Sequence, residues 1–231
     1  MDPVAHDGGN SSGDFIQSLN FVDIATCWDI TAACKNKAQV HVFKALRTII
    51  NRFPFIIAGI DSDNGSEFIN NHMLRYCVKN KITFTRSRAY KKNDSCFVEQ
   101  KNYSVVRRAV GYLRYDTDEE LMILNELYIY LDHYTNYFQP VQKLVLKTRT
   151  GSRVTKKYDK ARTPFRRVLE SKCIDDKIKA RLKVGYDSLN PVKLKKNISR
   201  LQDELLKLNL LKSKVRKEAA VNAEAYGYVT V

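Results

Sequence analysis

Apolar and polar positions change period several times along this chain, and each change predicts an element. Phe15–Ile24 and Trp28–Ala33 alternate loosely around a tight turn, which predicts a β-hairpin. A short strand over roughly residues 2–6 precedes it, before the turn-rich run Gly8-Gly9-Asn10-Ser11-Ser12-Gly13. From Lys37 to Arg52 the spacing turns helical, with Val40, Phe43, Ala45, Leu46, Ile49 and Ile50 on one side. Phe55–Ile60, after Pro54, is a continuous apolar run of the kind a strand covered on both faces carries. Asn64-Gly65-Ser66 then opens a helix to about Lys79, with Phe68, Ile69, Met73, Leu74 and Cys77 inward. Ile82–Thr85 is β-branched and aromatic, a short strand. A polar basic loop covers residues 86–94. Two helices follow, Ser95–Val110 and Asp116–Phe138, the second with an acidic first turn (Asp116 to Glu120) that suits the positive end of a helix dipole.

Gln139-Pro140 closes this body, so the chain divides into residues 1–142 and 143–231. Lys143–Lys160 is basic and without clear period, and reads as an extended connector. Thr163-Pro164 starts a short helix to Ser171, Asp175–Tyr186 is a second, and Asn190-Pro191 starts a third running to about Lys217. Leu194, Ile198, Leu201, Leu205, Leu208 and Leu211 form an apolar stripe on it, either packing on the tail's own helices or pairing with a second chain.

Charge sharpens this division. Residues 1–145 hold 17 Lys and Arg against 16 Asp and Glu, whereas residues 146–231 hold 23 against 9. A nearly neutral body thus carries a strongly basic mainly helical tail, and a field of one sign attracts polyanions, nucleic acids first among them. The 231 residues suffice for one core plus an appendage. No apolar stretch reaches the ~20 residues that cross a bilayer, so no membrane partner is expected. Cys27, Cys34, Cys77, Cys96 and Cys173 are scattered without zinc spacing and read as reduced thiols of a cytoplasmic protein.

Two acidic positions carry the candidate chemistry. Asp63 lies in Asp61-Ser62-Asp63-Asn64-Gly65-Ser66-Glu67-Phe68, where the apolar run ends in an acidic turn. Glu99 lies in Cys96-Phe97-Val98-Glu99-Gln100-Lys101-Asn102, in the first turns of a helix, its apolar neighbours suggesting partial burial. Residues 64 to 98, 35 in all, separate them. A strand-end carboxylate, an Asp-Asn-Gly-Ser turn, 35 residues and a helix-borne Glu resemble the DDE integrase and transposase superfamily of retroviral and insertion-sequence enzymes. Asp2-Pro3-Val4-Ala5-His6-Asp7-Gly8-Gly9, followed by the hairpin around Val22–Trp28, is similar to the surroundings of that family's first acid. Asp2 is therefore the candidate for it, with Asp23 in the hairpin as the rival.

This resemblance implies a ribonuclease H-like fold, an α/β architecture with a mixed five-stranded sheet and flanking helices. It also implies polynucleotidyl transfer, in which donor DNA ends are cut and joined to target DNA with two Mg²⁺ or Mn²⁺ ions. Such ions sit about 3.5–4 Å apart and prefer oxygen ligands, which Asp2, Asp63 and Glu99 would supply. His6, Asp61 and Asn64 are candidate assisting residues. Arg86, Arg88, Tyr90, Lys91, Lys92 and Asn93 form a basic loop with one aromatic, fit to stack an end nucleotide. Lys101, Arg107 and Arg108 on the Glu99 helix, and Lys156 and Lys157 in the tail, are further candidate DNA contacts. Homo-oligomers on DNA are expected. Such enzymes carry a helix-turn-helix region upstream that this chain lacks, so it reads as the C-terminal part of a larger transposase. Two other readings share these features: a non-catalytic DNA-binding remnant and a ribonuclease H-like nuclease.

Overall fold

A computed structural model describes residues 1–62, 71–87 and 96–227. Strands β1 (Asp2–Ala5), β2 (Gln17–Val22) and β3 (Asp29–Cys34) form an antiparallel meander in the order β1-β2-β3. Helix α1 (Gln39–Arg52) leads to β4 (Gly59–Ser62), which pairs in parallel with β5 (Thr83–Arg86) across α2 (Asn71–Lys79). This is the order expected from the sequence, and the architecture is mixed α/β. The five strands nevertheless form two ladders, of three and two strands. The Met1 ammonium joins them, donating to the Asp61 carbonyl at 2.6 Å.

Alternation along the strands fills two cores. Leu19, Phe21, Ile30, Ala32, Cys34 and Ile60 face α1 and α2. Val4, Ile16 and Ala33 face the opposite way, toward the remaining helices of the body. The fourth strand starts later than the apolar run suggests. Phe55 leaves the sheet to pack edge-on against Trp28 and Phe53, and pairing begins only at Gly59 opposite Thr83.

The helix expected over residues 95–110 is present but irregular. α3 (Cys96–Lys101) passes into a π-helical segment, Asn102–Arg107, and ends as α4 (Arg108–Val110). Such widened turns are rare and concentrate at functional sites. α5 (Asp118–Phe138) starts at a reciprocal cap: the Thr117 side chain accepts from the Glu120 amide, and the Glu120 carboxylate accepts from the Thr117 amide. Gly8, at φ +62°, lets the loop after β1 approach Arg114 so closely that a Cβ would stand 2.7 Å from the Arg114 Cβ.

Residues 143–160 correct the expected connector. They form an antiparallel hairpin, β6 (Leu144–Thr150) and β7 (Arg153–Tyr158). No period is visible there because neither face is buried. Three helices follow: α6 (Pro164–Glu170), α7 (Asp176–Ser188) and α8 (Pro191–Gly227). The α8 stripe packs on the body rather than on the tail's own helices. Ile198, Leu201 and Leu205 join the core made by Leu124, Leu127, Tyr128 and Leu131 of α5. Phe165, Val168 and Leu182 of α6 and α7 enter the core on the α1 side. Among the described residues no helix is long and apolar enough to cross a membrane.

Candidate active site

Asp2 stands on β1 opposite Asn20 of β2, and Asn20 stands opposite Thr31 of β3. The three share one face of the sheet, and a directed chain of hydrogen bonds runs along them. Thr31 Oγ1 donates to Asn20 Oδ1 at 3.4 Å, and Asn20 Nδ2 donates to Asn102 Oδ1 at 3.1 Å. Asn102 Nδ2 then donates to Asp2 Oδ2 at 2.5 Å. Asn20 and Thr31 are fully buried, so each needs these partners. The chain ends on a carboxylate, where an amide donor is strongest.

Asn102 lies one helical turn beyond Glu99, and residues three apart share a side of a helix. The Asp2 strand is therefore tied to the helix that carries Glu99. Glu99 itself is exposed, which corrects the expected partial burial. Val98 is buried instead, because neighbours on a helix point about 100° apart. The Met1–Asp61 bond sets the start of β1 beside the end of β4, and Asp63 is the residue after β4. Asp63 lies outside the described residues, as do Asn64, Arg88, Tyr90, Lys91, Lys92 and Asn93.

Other candidates have structural partners. Asp61 accepts from Thr85 Oγ1 at 2.6 Å and Ser87 Oγ at 3.2 Å, binding β4 to the β5 end. Asp23 closes the β2–β3 turn by accepting from the Thr26 amide at 2.8 Å and from its hydroxyl. His6 does not orient Asp2. It lies four residues along, roughly 13 Å at strand spacing. Its Nε2 pairs with Ser18 Oγ at 2.8 Å, and Ser18 Oγ pairs with the Tyr128 hydroxyl at 2.6 Å. Burial, assisted by Arg107, lowers the imidazole to about 3 and keeps it neutral.

The basic candidates divide by exposure. Arg86 and Arg108 are exposed, and Lys101 is half-buried. The Arg107 guanidinium is turned inward: it donates to the Ala5 carbonyl at 2.7 Å and the Gly111 carbonyl at 3.2 Å, and covers the Tyr112 ring at 4.5 Å. Lys156 and Lys157 are exposed on β7.

Among the described residues no three His, Cys, Asp or Glu side chains cluster as a metal site. Asp2 and Glu99 nevertheless offer carboxylate oxygens, the donors that Mg²⁺ and Mn²⁺ prefer. Asn20 and Thr31 are not site candidates by sequence pattern. One signal was available: Asn20 interrupts the apolar run Leu19-Asn20-Phe21, and a polar residue inside a buried strand needs a partner.

Comparison with known proteins adds a family. Residues 1–92 match the family model of the integrase core domain. A curated relative is the uncharacterized protein y4rM of Sinorhizobium fredii (strain NBRC 101917 / NGR234), 42% identical over 167 residues. The match covers 72% of this chain and 48% of the relative, so the chain spans about half the relative's length. Among solved structures, the chain is similar to the catalytic core domain of BIV integrase. The TM-score is 0.46 at 15% identity, covering 73% of this chain and 92% of that one. A chain of the simian T-cell lymphotropic virus intasome in complex with PP2A regulatory subunit B56 gamma gives 0.45 at 15% identity, covering 61% and 49%.

Proposed function

We propose that this chain holds an integrase core that carries out metal-dependent phosphoryl transfer on DNA, cutting donor ends and joining them to target DNA. Residues 1–142 act as the catalytic core and residues 143–231 as its basic DNA-gripping region. The observation that carries the reading is the Asn102–Asp2 hydrogen bond, one turn from Glu99. It supports Asp2 and Glu99 as acids of one site mounted on β1 and α3, with Asp63, the residue after β4 in the sequence, as the third.

Asp2, Asp63 and Glu99 would hold two Mg²⁺ or Mn²⁺ ions. When bound, such a pair activates the attacking oxygen and stabilises the leaving one. Asn102 orients the Asp2 carboxylate, and the buried Asn20 and Thr31 hold Asn102 in turn. Arg86, Lys101, Arg108 and Lys156 contact phosphate, with Arg88, Tyr90, Lys91, Lys92 and Asn93 completing the segment that takes the DNA end. Asp61 and Asn64 flank Asp63. The protein works as a homo-oligomer on DNA.

The test is Glu99→Gln in the full chain, with a labelled donor duplex, a target duplex and Mn²⁺. The variant is expected to bind DNA like the parent and to lose joined products by at least about a hundredfold. Joining at the parental rate would remove Glu99 from the site. Cut but unjoined products from the parent would mark a nuclease. Calorimetric Mn²⁺ titration without carboxylate-dependent heat would mark a non-catalytic remnant.

A further inference from the structure

We infer that the β6–β7 hairpin is a ribbon that lies along a DNA duplex, gripping its phosphates with the face that carries Lys147, Arg149 and Lys156. The inference rests on the DNA reading above and names the element, and the side of it, that meets the duplex. It starts from an imbalance between the root of the hairpin and its blade. At the root, Asp159 and Lys143 exchange two hydrogen bonds, the Asp159 amide to the Lys143 carbonyl and the Lys143 amide to Asp159 Oδ1. Arg167 of α6, nearly buried, clamps Asp159 at 2.6 Å and the Val141 carbonyl at 2.9 Å. Beyond this anchor every residue of both strands is exposed. A lone two-stranded hairpin is marginal in water, so a bare blade on a fixed root is suited to an external surface.

Charge identifies that surface. Between Leu144 and Tyr158 stand Lys147, Arg149, Arg153, Lys156 and Lys157, and no acidic residue. Lys147 and Lys156 are directly opposite in the ladder, as are Arg149 and Val154. Like charges facing each other across a ladder repel, which weakens the free hairpin. A polyanion lying on that face turns the repulsion into attraction. Strand alternation places Lys147, Arg149 and Lys156 together, while Lys157, Arg153 and the Thr148–Thr155 pair face the other way. A second copy of this chain is a poor occupant, since it brings the same +15 charge. A two-stranded ribbon also has the width that a DNA major groove admits.

Fluorescence anisotropy of the full chain on a labelled duplex, from about 50 to 200 mM salt, tests this. Each phosphate contact contributes about 0.9 to the slope of log affinity on log salt. Combined Lys147→Gln, Arg149→Gln and Lys156→Gln is expected to lower that slope by about 2–3. Arg153→Gln with Lys157→Gln is expected to lower it less. Hydrogen exchange on the parent gives a readout that needs no variant: amides of residues 144–158 should slow when duplex is added. Unchanged slope or unchanged exchange, with the parent still binding duplex, overturns the ribbon and leaves the DNA reading standing. A parent that fails to bind duplex overturns both. Stronger protection by single-stranded DNA or an acidic peptide than by duplex overturns the occupant named here.

Discussion

At the start of β3 the Asp29 side chain is fully buried, and neither carboxylate oxygen has a hydrogen-bond partner among the described residues. Burial pushes its carboxyl up to about 6, with the Lys101 ammonium opposing the rise. Asp132 nearby is also buried and raised, although it is paired with Arg52. The folded value for Asp29 lies above the ordinary 3.8. The stability linked to this group is therefore complete below pH 3.8 and is lost as pH rises through 6. Asp29→Asn removes the charge and keeps the shape. It should stabilise the protein by up to about 3 kcal/mol at about pH 7.5, and by little at about pH 4. Urea unfolding at the two pH values checks this, and an equal gain at both would show that the charge is not the cause. The acids of the candidate site come from the sequence alone, through the resemblance carried by Asp63, 35 residues and Glu99, and Asp63 lies outside the described residues. The Asn102–Asp2 bond was not, since it spans 100 positions and depends on how the π-helical segment phases the helix over β1.

Among the elements, the junction of α5 and α8 shows how a readable feature can carry an unreadable role. The acidic turn at residues 116–120 suits a helix N-terminus, and its cap is where the sequence suggests. Its larger role is to hold α8. Lys212 Nζ donates to Glu120 Oε1 at 2.6 Å and Asp116 Oδ1 at 2.9 Å, and Arg216 reaches Asp116 at 3.0 Å. Although burial opposes it, hydrogen bonds from Arg216, Arg114 and Lys212 hold the Asp116 carboxyl well below the usual carboxylate range. Glu120 is almost fully buried, so Lys212→Met would leave its charge without a cation at a cost of about 3–5 kcal/mol. Adding Glu120→Gln should recover part of that loss, and chemical denaturation of the single and double variants measures both. Local pattern located β1, β2, β3, β5, α1 and α5 to within a few residues, because a short apolar or β-branched run, or a single helical period, bounded by turn residues marks each. It could not show β6–β7, whose two faces are both solvent, nor the partner of Glu120, which lies 92 positions away.

For the whole molecule, the basic tail is also part of the core. Leu194, Ile198, Leu201 and Leu205 of α8 are buried, the last three against the α5 face that includes Leu124, Leu127 and Tyr128. Four such side chains contribute about 1.5–3 kcal/mol each, roughly 6–12 in all. A typical domain has only about 5–15 kcal/mol to lose. A chain ending at Asn190 would thus expose the α5 face and lose most of its stability, whatever the catalytic acids do. It is expected to be poorly soluble or to melt without cooperativity. A chain ending at Lys217 keeps the stripe and both α8 cations that grip Asp116, Lys212 and Arg216, and is expected to melt like the full chain. Circular dichroism melts and soluble yields of the two truncations separate these outcomes. A cooperative melt of residues 1–190 would make α8 an accessory. Failure of that fragment beside a stable 1–217 would mean that the helix carrying many of the tail's cations is the one that completes the core. DNA assays on a fragment stripped of α8 would then report unfolding, and the charge of α8 has to be tested by surface substitutions that leave its apolar stripe intact.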